Sequence, residues 1–136
     1  MAGDQVTQGG DADPGSTLHD RVGGLPFFVA LVDRFYEGVQ EDPVLRPIYP
    51  EDLGPGKAHL AGFLAQYWGG PPNYSMERGH PRLRMRHFPF PIDQQVRDAW
   101  AGHMLAAVRS SDAAPNDKSL LSLYFEQTAT FLMNSE

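Results

Sequence analysis

The chain has 136 residues, the length of one domain, and a formal net charge of −6. Hydrophobic residues make up 41% and charged residues 21%, the balance of a globular protein with a real core. The acidic balance argues against a nucleic-acid partner, no apolar run approaches the ~20 residues that span a bilayer, and the lack of cysteine excludes disulfides and thiolate metal sites.

Residues 1–17, "MAGDQVTQGGDADPGST", carry Asp4, Asp11 and Asp13, no Lys or Arg, and almost nothing to bury. They are expected to form a flexible extension, with the domain running over 18–136. No basic-then-apolar leader opens the sequence, so the cytoplasm is the expected compartment.

"FFVALVDRFYEGV" places Phe28, Leu31, Val32, Phe35, Tyr36 and Val39 on one helical face. Gly23-Gly24 and Pro26 mark its start, and Asp42-Pro43 its end. "HLAGFLAQYW" repeats the period with Leu60, Phe63, Leu64, Tyr67 and Trp68, after a loop "LGPGKAH", and stops at Gly69-Gly70-Pro71-Pro72. "VRDAWAGHMLAAV" repeats it with Val96, Ala99, Trp100, His103, Met104, Ala107 and Val108. "SLLSLYFEQTATFLM" predicts a last helix with Leu120, Tyr124, Thr128, Phe131 and Leu132 on its inner side. No stretch alternates with period two, so the fold class is all-α, four substantial helices with shorter pieces.

Between Gly69 and Pro91 the pattern breaks. Five prolines and three glycines fall within 23 residues, leaving room for a short rigid turn in "GHPRLRMRHFPFPI". There Arg82, Arg84 and Arg86, with Arg78 upstream, surround His80 and His87. A solvated Arg-rich loop with an ordinary surface histidine accounts for that composition. A zinc site needs about four ligands, and the histidines show no helical pairing to supply them. A di-iron bundle needs two Glu-x-x-His motifs, and only Glu77-x-x-His80 is present. No serine sits in a hydrolase setting. A haem fits the composition better: one histidine can hold the iron, and arginines can hold the two propionate carboxylates.

Gly23-Gly24, "RFYEGVQEDPVLRPIYPED", "FLAQYWGGPPNYS", "GHPRLRMRHFPFPI" and "RDAWAGHM" resemble, in order and spacing, the group II truncated haemoglobins. The resemblance runs from about residue 18 to 135. It implies a two-on-two α-helical sandwich around haem b, with residues 18–136 as the truncated globin domain. It puts the proximal iron ligand on His87, and the distal donors on Tyr36, Tyr49 and Trp100, with Trp100 donating to the bound ligand. It puts Gly56 at the distal gate and Leu60 one turn on, so that no distal histidine is present. Arg86 and Tyr74 are expected at the haem edge, with His59 near it. Leu60, Phe63, Leu64 and Met104 are expected in the pocket wall, and His103 on a helix face rather than on iron. Without the resemblance, Tyr36 and Trp100 read as packing residues.

The resemblance implies binding of O2, and of NO, CO or peroxide. Its candidate chemistry is NO dioxygenation or peroxidase-like turnover, fed by an electron donor or reductase that this chain does not contain. An O2 or NO store or sensor without turnover stays open. So do association with further copies of itself, and a haem-free helical module that holds anions through Arg82, Arg84 and Arg86.

Overall fold

The computed structural model describes residues 16–79 and 90–135. Helices α1 (Leu18–Val22) and α2 (Leu25–Glu41) lead to a 3-10 turn, Arg46–Ile48. Then come α3 (Gly54–Tyr67), α4 (Asn73–Arg78), α5 (Gln94–Ser110) and α6 (Pro115–Phe131). The described residues contain no strand. Helix α2 packs on α3, α5 packs on α6, and the two pairs meet through α2 and α5. This is the two-on-two arrangement expected.

Helix α2 organises the core. Gly24, at φ +81°, turns the chain into it in a conformation that only glycine adopts without strain. Pro26 sits in its first turn, where the missing N–H costs nothing. Its buried residues are the six of the expected stripe, Phe28, Leu31, Val32, Phe35, Tyr36 and Val39. Phe28, Phe35 and Phe125 are the largest fully buried side chains. Each contributes about 1.5–3 kcal/mol by burial, and Phe35→Ala would cost about 3–5 kcal/mol once the cavity is counted.

Three expectations are corrected. The "LGPGKAH" loop is helical from Gly54, because Pro55 is tolerated in a first turn and the Asp52 carboxylate accepts the Gly54 N–H at 3.0 Å. The segment after Gly69 holds a helix, α4, docked on α3 through Gln66 and Tyr74: Gln66 Oε1 accepts the Ser75 N–H at 2.8 Å, Gln66 Nε2 donates to Ser75 Oγ at 2.7 Å, and the Tyr74 ring lies edge-on to Phe63 at 5.5 Å. Helix α6 keeps part of the expected face: Tyr124, Thr128 and Leu132 line the cavity described below, while Leu120 and Phe131 stand exposed. Its most buried residues are Asp117, Leu121, Phe125 and Ala129, and Asp117 is paired there by Arg21, whose Nη2 and Nε donate to Oδ1 at 2.8 and 3.1 Å.

The expected extension also ends earlier than Leu18. Thr17 caps α1, its hydroxyl accepting the Asp20 N–H at 3.1 Å, and the Ser16 carbonyl accepts from Arg21 at 3.0 Å. No helix among the described residues is long and apolar enough to cross a membrane.

Candidate ligand cavity

A cavity of about 550 Å³ lies between α3 and α6 and reaches α2 and α5. A second space of about 250 Å³ adjoins it and shares Tyr36, Tyr49, Gly56, Phe90, Trp100 and Leu132 in its wall. The larger falls in the range of cofactor pockets, about 300–1,000 Å³. Its wall is mainly apolar and aromatic: Leu60, Phe63 and Leu64 from α3, Tyr74 from α4, Phe125 and Leu132 from α6 and its end.

The polar groups are few and grouped. Tyr36 of α2, Tyr49 after the 3-10 turn and Trp100 of α5 converge on one side. The Tyr36 and Tyr49 rings meet edge to face at 5.6 Å, and Phe35 lies edge-on to both Tyr36 (5.2 Å) and Trp100 (5.5 Å). The Trp100 indole stands near enough to the Tyr49 hydroxyl for its N–H to favour the ionised phenol. Burial pushes the Tyr49 phenol far above its usual range; the nearby Tyr36 adds to this, and the nearby Trp100 N–H partly offsets it. Burial raises Tyr36 as well. Both phenols are therefore neutral donors across the physiological range. On α6, burial pushes Tyr124 up to about 12, against a hydrogen bond with Thr128 one turn on.

At the rim, His59 Nε2 lies 3.0 Å from Arg78 Nη1, and the Arg78 guanidinium sits 5.9 Å from the centre of the Tyr74 ring. The smaller space has Arg97 in its wall, held by Asp98 at 3.1 Å and by Glu126.

Of the residues singled out from sequence, Tyr36, Tyr49, Gly56, His59, Leu60, Phe63, Leu64, Tyr74 and Trp100 all line the larger cavity. Met104 does not. It is fully buried in the core with Ala107 and Val108, on the part of the α5 stripe that packs into the helix interface. Trp100 lines the cavity beside Tyr49. His103 is on a helix face, as read, and bonds Asp42 at 2.7 Å. His87 and Arg86, with Arg82, Arg84 and His80, lie outside the described residues. Among the described residues no three His, Asp or Glu side chains are grouped to hold a metal ion. Sequence reasoning missed the nearness of Trp100 to Tyr49 and the Arg78–His59 contact. It placed Tyr124 and Thr128 on the inner side of the last helix, where both line the cavity.

These features fit a haem on this chain's side: a largely apolar cleft, neutral donors grouped on one wall, and a cation at the rim for an acidic edge. The chain matches the family of bacterial-like globins over residues 17–134. It is 43% identical over 104 residues, 76% of this chain and 79% of the relative, to the group 2 truncated haemoglobin YjbI of Bacillus subtilis. Its fold superposes with a TM-score of 0.85 on the haemoglobin of Chloroflexus aurantiacus, at 49% identity, covering 88% of this chain and 98% of that one. A thermostable haemoglobin of Thermobifida fusca gives the same TM-score and coverage at 50% identity.

Proposed function

The chain belongs to the group II truncated haemoglobins, a haem-binding family, and from that premise we propose that it binds dioxygen with His87 as the proximal iron ligand and Tyr36, Tyr49 and Trp100 as the distal donor set. The observation that supports this most is the convergence of those three side chains, from three separate elements, on one apolar cavity. Haem, when bound, supplies an iron that takes a diatomic ligand whose electron density shifts outward.

The residues act on that ligand as follows. Trp100 stands beside the Tyr49 hydroxyl, and in this reading its N–H holds the Tyr49 oxygen and leaves the Tyr49 proton for the ligand. A hydroxyl that accepts one hydrogen bond becomes a stronger donor in the next. Tyr36 brings a second phenol O–H to the same wall. In a cleft with little water, each such bond to a partly charged acceptor is worth about 1–3 kcal/mol. Apolar neighbours keep competing water out. Arg86 and Tyr74 are assigned to the acidic edge of the haem, with Leu60, Phe63 and Leu64 against its face.

Tight holding by neutral donors suits turnover of NO or peroxide, with electrons from a separate reductase, better than bulk carriage. Titration of the purified protein with haem, read by absorption, tests the cofactor. Resonance Raman of the ferrous form tests the ligand: His87→Ala should abolish the iron–histidine band. An unchanged band would overturn the assignment of His87.

A further inference from the structure

Asp42 and His103 lie outside the cavity, yet between them they touch every element that carries a distal donor. Asp42 closes α2, and its Oδ1 accepts the N–H groups of Val44 and Leu45 at 2.8 and 3.4 Å. Its carbonyl accepts from Arg46 at 2.8 Å. Arg46 in turn donates to the carbonyls of Tyr49, Pro50 and Glu51, at 3.3, 3.0 and 3.1 Å. The backbone that presents Tyr49 is thus built outward from Asp42. The other carboxylate oxygen of Asp42 accepts from His103 Nε2 at 2.7 Å. His103 stands one turn beyond Trp100 on α5.

The ring of His103 meets α2 at Gly38, two residues from Tyr36, with its Nδ1 side nearest. A methyl group built on Gly38 would fall 2.2 Å from Nδ1 and 2.8 Å from Cγ. A glycine within a helix costs roughly as much stability as a weak hydrogen bond supplies. Here it makes the space that lets the imidazole reach Asp42. The hydrogen bond also holds the Asp42 carboxyl below its usual range, with the Val44 N–H as the second cause.

We propose that His103 and Asp42 are positioning residues: their bond sets the distance between Trp100 and Tyr49, and through it the donor strength offered to the ligand. The inference rests on the donor roles proposed above. Each of the two cavity residues is one or two turns from the bond, on opposite sides of it. If the bond is lost, α5 and the Tyr49 segment keep their apolar packing but lose the polar tie that fixes their register.

The test uses the full chain in its apo form and as the ferrous CO complex. His103→Phe keeps a ring of similar size against Gly38 and removes the donor; His103→Gln restores a donor to Asp42. The Trp100 indole N–H resonance should shift in His103→Phe in both forms, with O2 release faster by about threefold or more, and both should return toward wild type in His103→Gln. Asp117→Asn, which weakens the remote Arg21 pair, serves as a control for plain stability loss and should leave the resonance and release rate unchanged. A His103→Phe protein that loses melting temperature like the control, with the indole resonance and O2 release unmoved, would overturn the proposal. A shifted resonance with unaltered O2 release keeps the positioning role and instead overturns the donor role of Trp100.

Discussion

The α-carbon of Gly56 faces the hydroxyl of Tyr36: a methyl group built on Gly56 would lie 2.9 Å from that oxygen. Tyr36 cannot simply swing aside, since its ring is held edge-on by Phe35 and Tyr49. Gly56→Ala should therefore displace the Tyr36 hydroxyl by a few tenths of an ångström and faster O2 release should follow, by about threefold to tenfold if ~1 kcal/mol of hydrogen bonding is lost. Stability should fall by up to ~2 kcal/mol, because crowding costs ~1–3 kcal/mol while alanine in a helix returns up to ~1 kcal/mol. Stopped-flow O2 release with a parallel melt separates the two.

Trp100 and Tyr49 should behave as one donor unit. Trp100→Phe removes the N–H beside the Tyr49 oxygen, and Tyr49→Phe removes the hydroxyl itself. Each is expected to speed O2 release, Tyr49→Phe by about tenfold and Trp100→Phe by less. In the double variant the effects should not add, and the rate should match Tyr49→Phe alone. Additive effects in that cycle would mean that Trp100 reaches the ligand independently.

Thr17 gives the N-terminal boundary a measurable position. A protein beginning at Ser16 should melt like the full chain. One beginning at Leu18 loses the Thr17 hydroxyl that caps α1 and the Ser16 carbonyl that receives Arg21. The cap alone is worth about 1 kcal/mol. Thermal unfolding should fall by roughly 4 °C, with the absorption spectrum of the haem form unchanged.

Acid and alkali should attack different parts of the fold. The Asp42 carboxyl is held low by His103 and by the Val44 N–H. Its contribution is full above the unfolded value, about pH 3.9, and is lost as pH falls through the lower folded value. Asp42→Asn should flatten that acid limb. The buried phenols run the other way. Tyr124 is raised to about 12, so its contribution is full below about pH 10 and disappears between there and about 12. Tyr36 and Tyr49 are raised as well and add to that alkaline limb. Chemical denaturation from pH 3 to 11, compared with Tyr124→Phe, checks both signs.

Hydrophobic period alone identified α2, because all six of its inward residues are large and nothing polar interrupts them. The same rule was right for Tyr124, Thr128 and Leu132 of α6 but wrong for Leu120 and Phe131. The inner stripe of α6 includes a carboxylate, Asp117, and a small residue, Ala129, while Leu120 and Phe131 point outward. A period that counts only large apolar side chains cannot register an inward acid whose partner, Arg21, comes from the first helix. The short α4 was hidden for a similar reason. Its hold on α3 combines the polar Gln66 contacts with one apolar anchor, Tyr74 edge-on to Phe63, and it lies in a stretch crowded with Pro and Gly. Tyr36, Tyr49 and Trp100 were legible through motif spacing, which carries family identity and not contact. That spacing left unseen how close Trp100 stands to Tyr49, which is a matter of tertiary geometry.

Arg21 and Asp117 stand 96 positions apart in the chain. On the ribosome the guanidinium therefore waits through most of synthesis before its carboxylate is made. Helix α1 has five residues and one buried side chain, Leu18, too little to hold a fixed place by itself. Its partners Trp68 and Asp117 arrive in turn, the first at the end of α3 and the second in α6. Helix α1 is thus made well before the partners that fasten it, and the order of synthesis and the order of locking run in opposite directions.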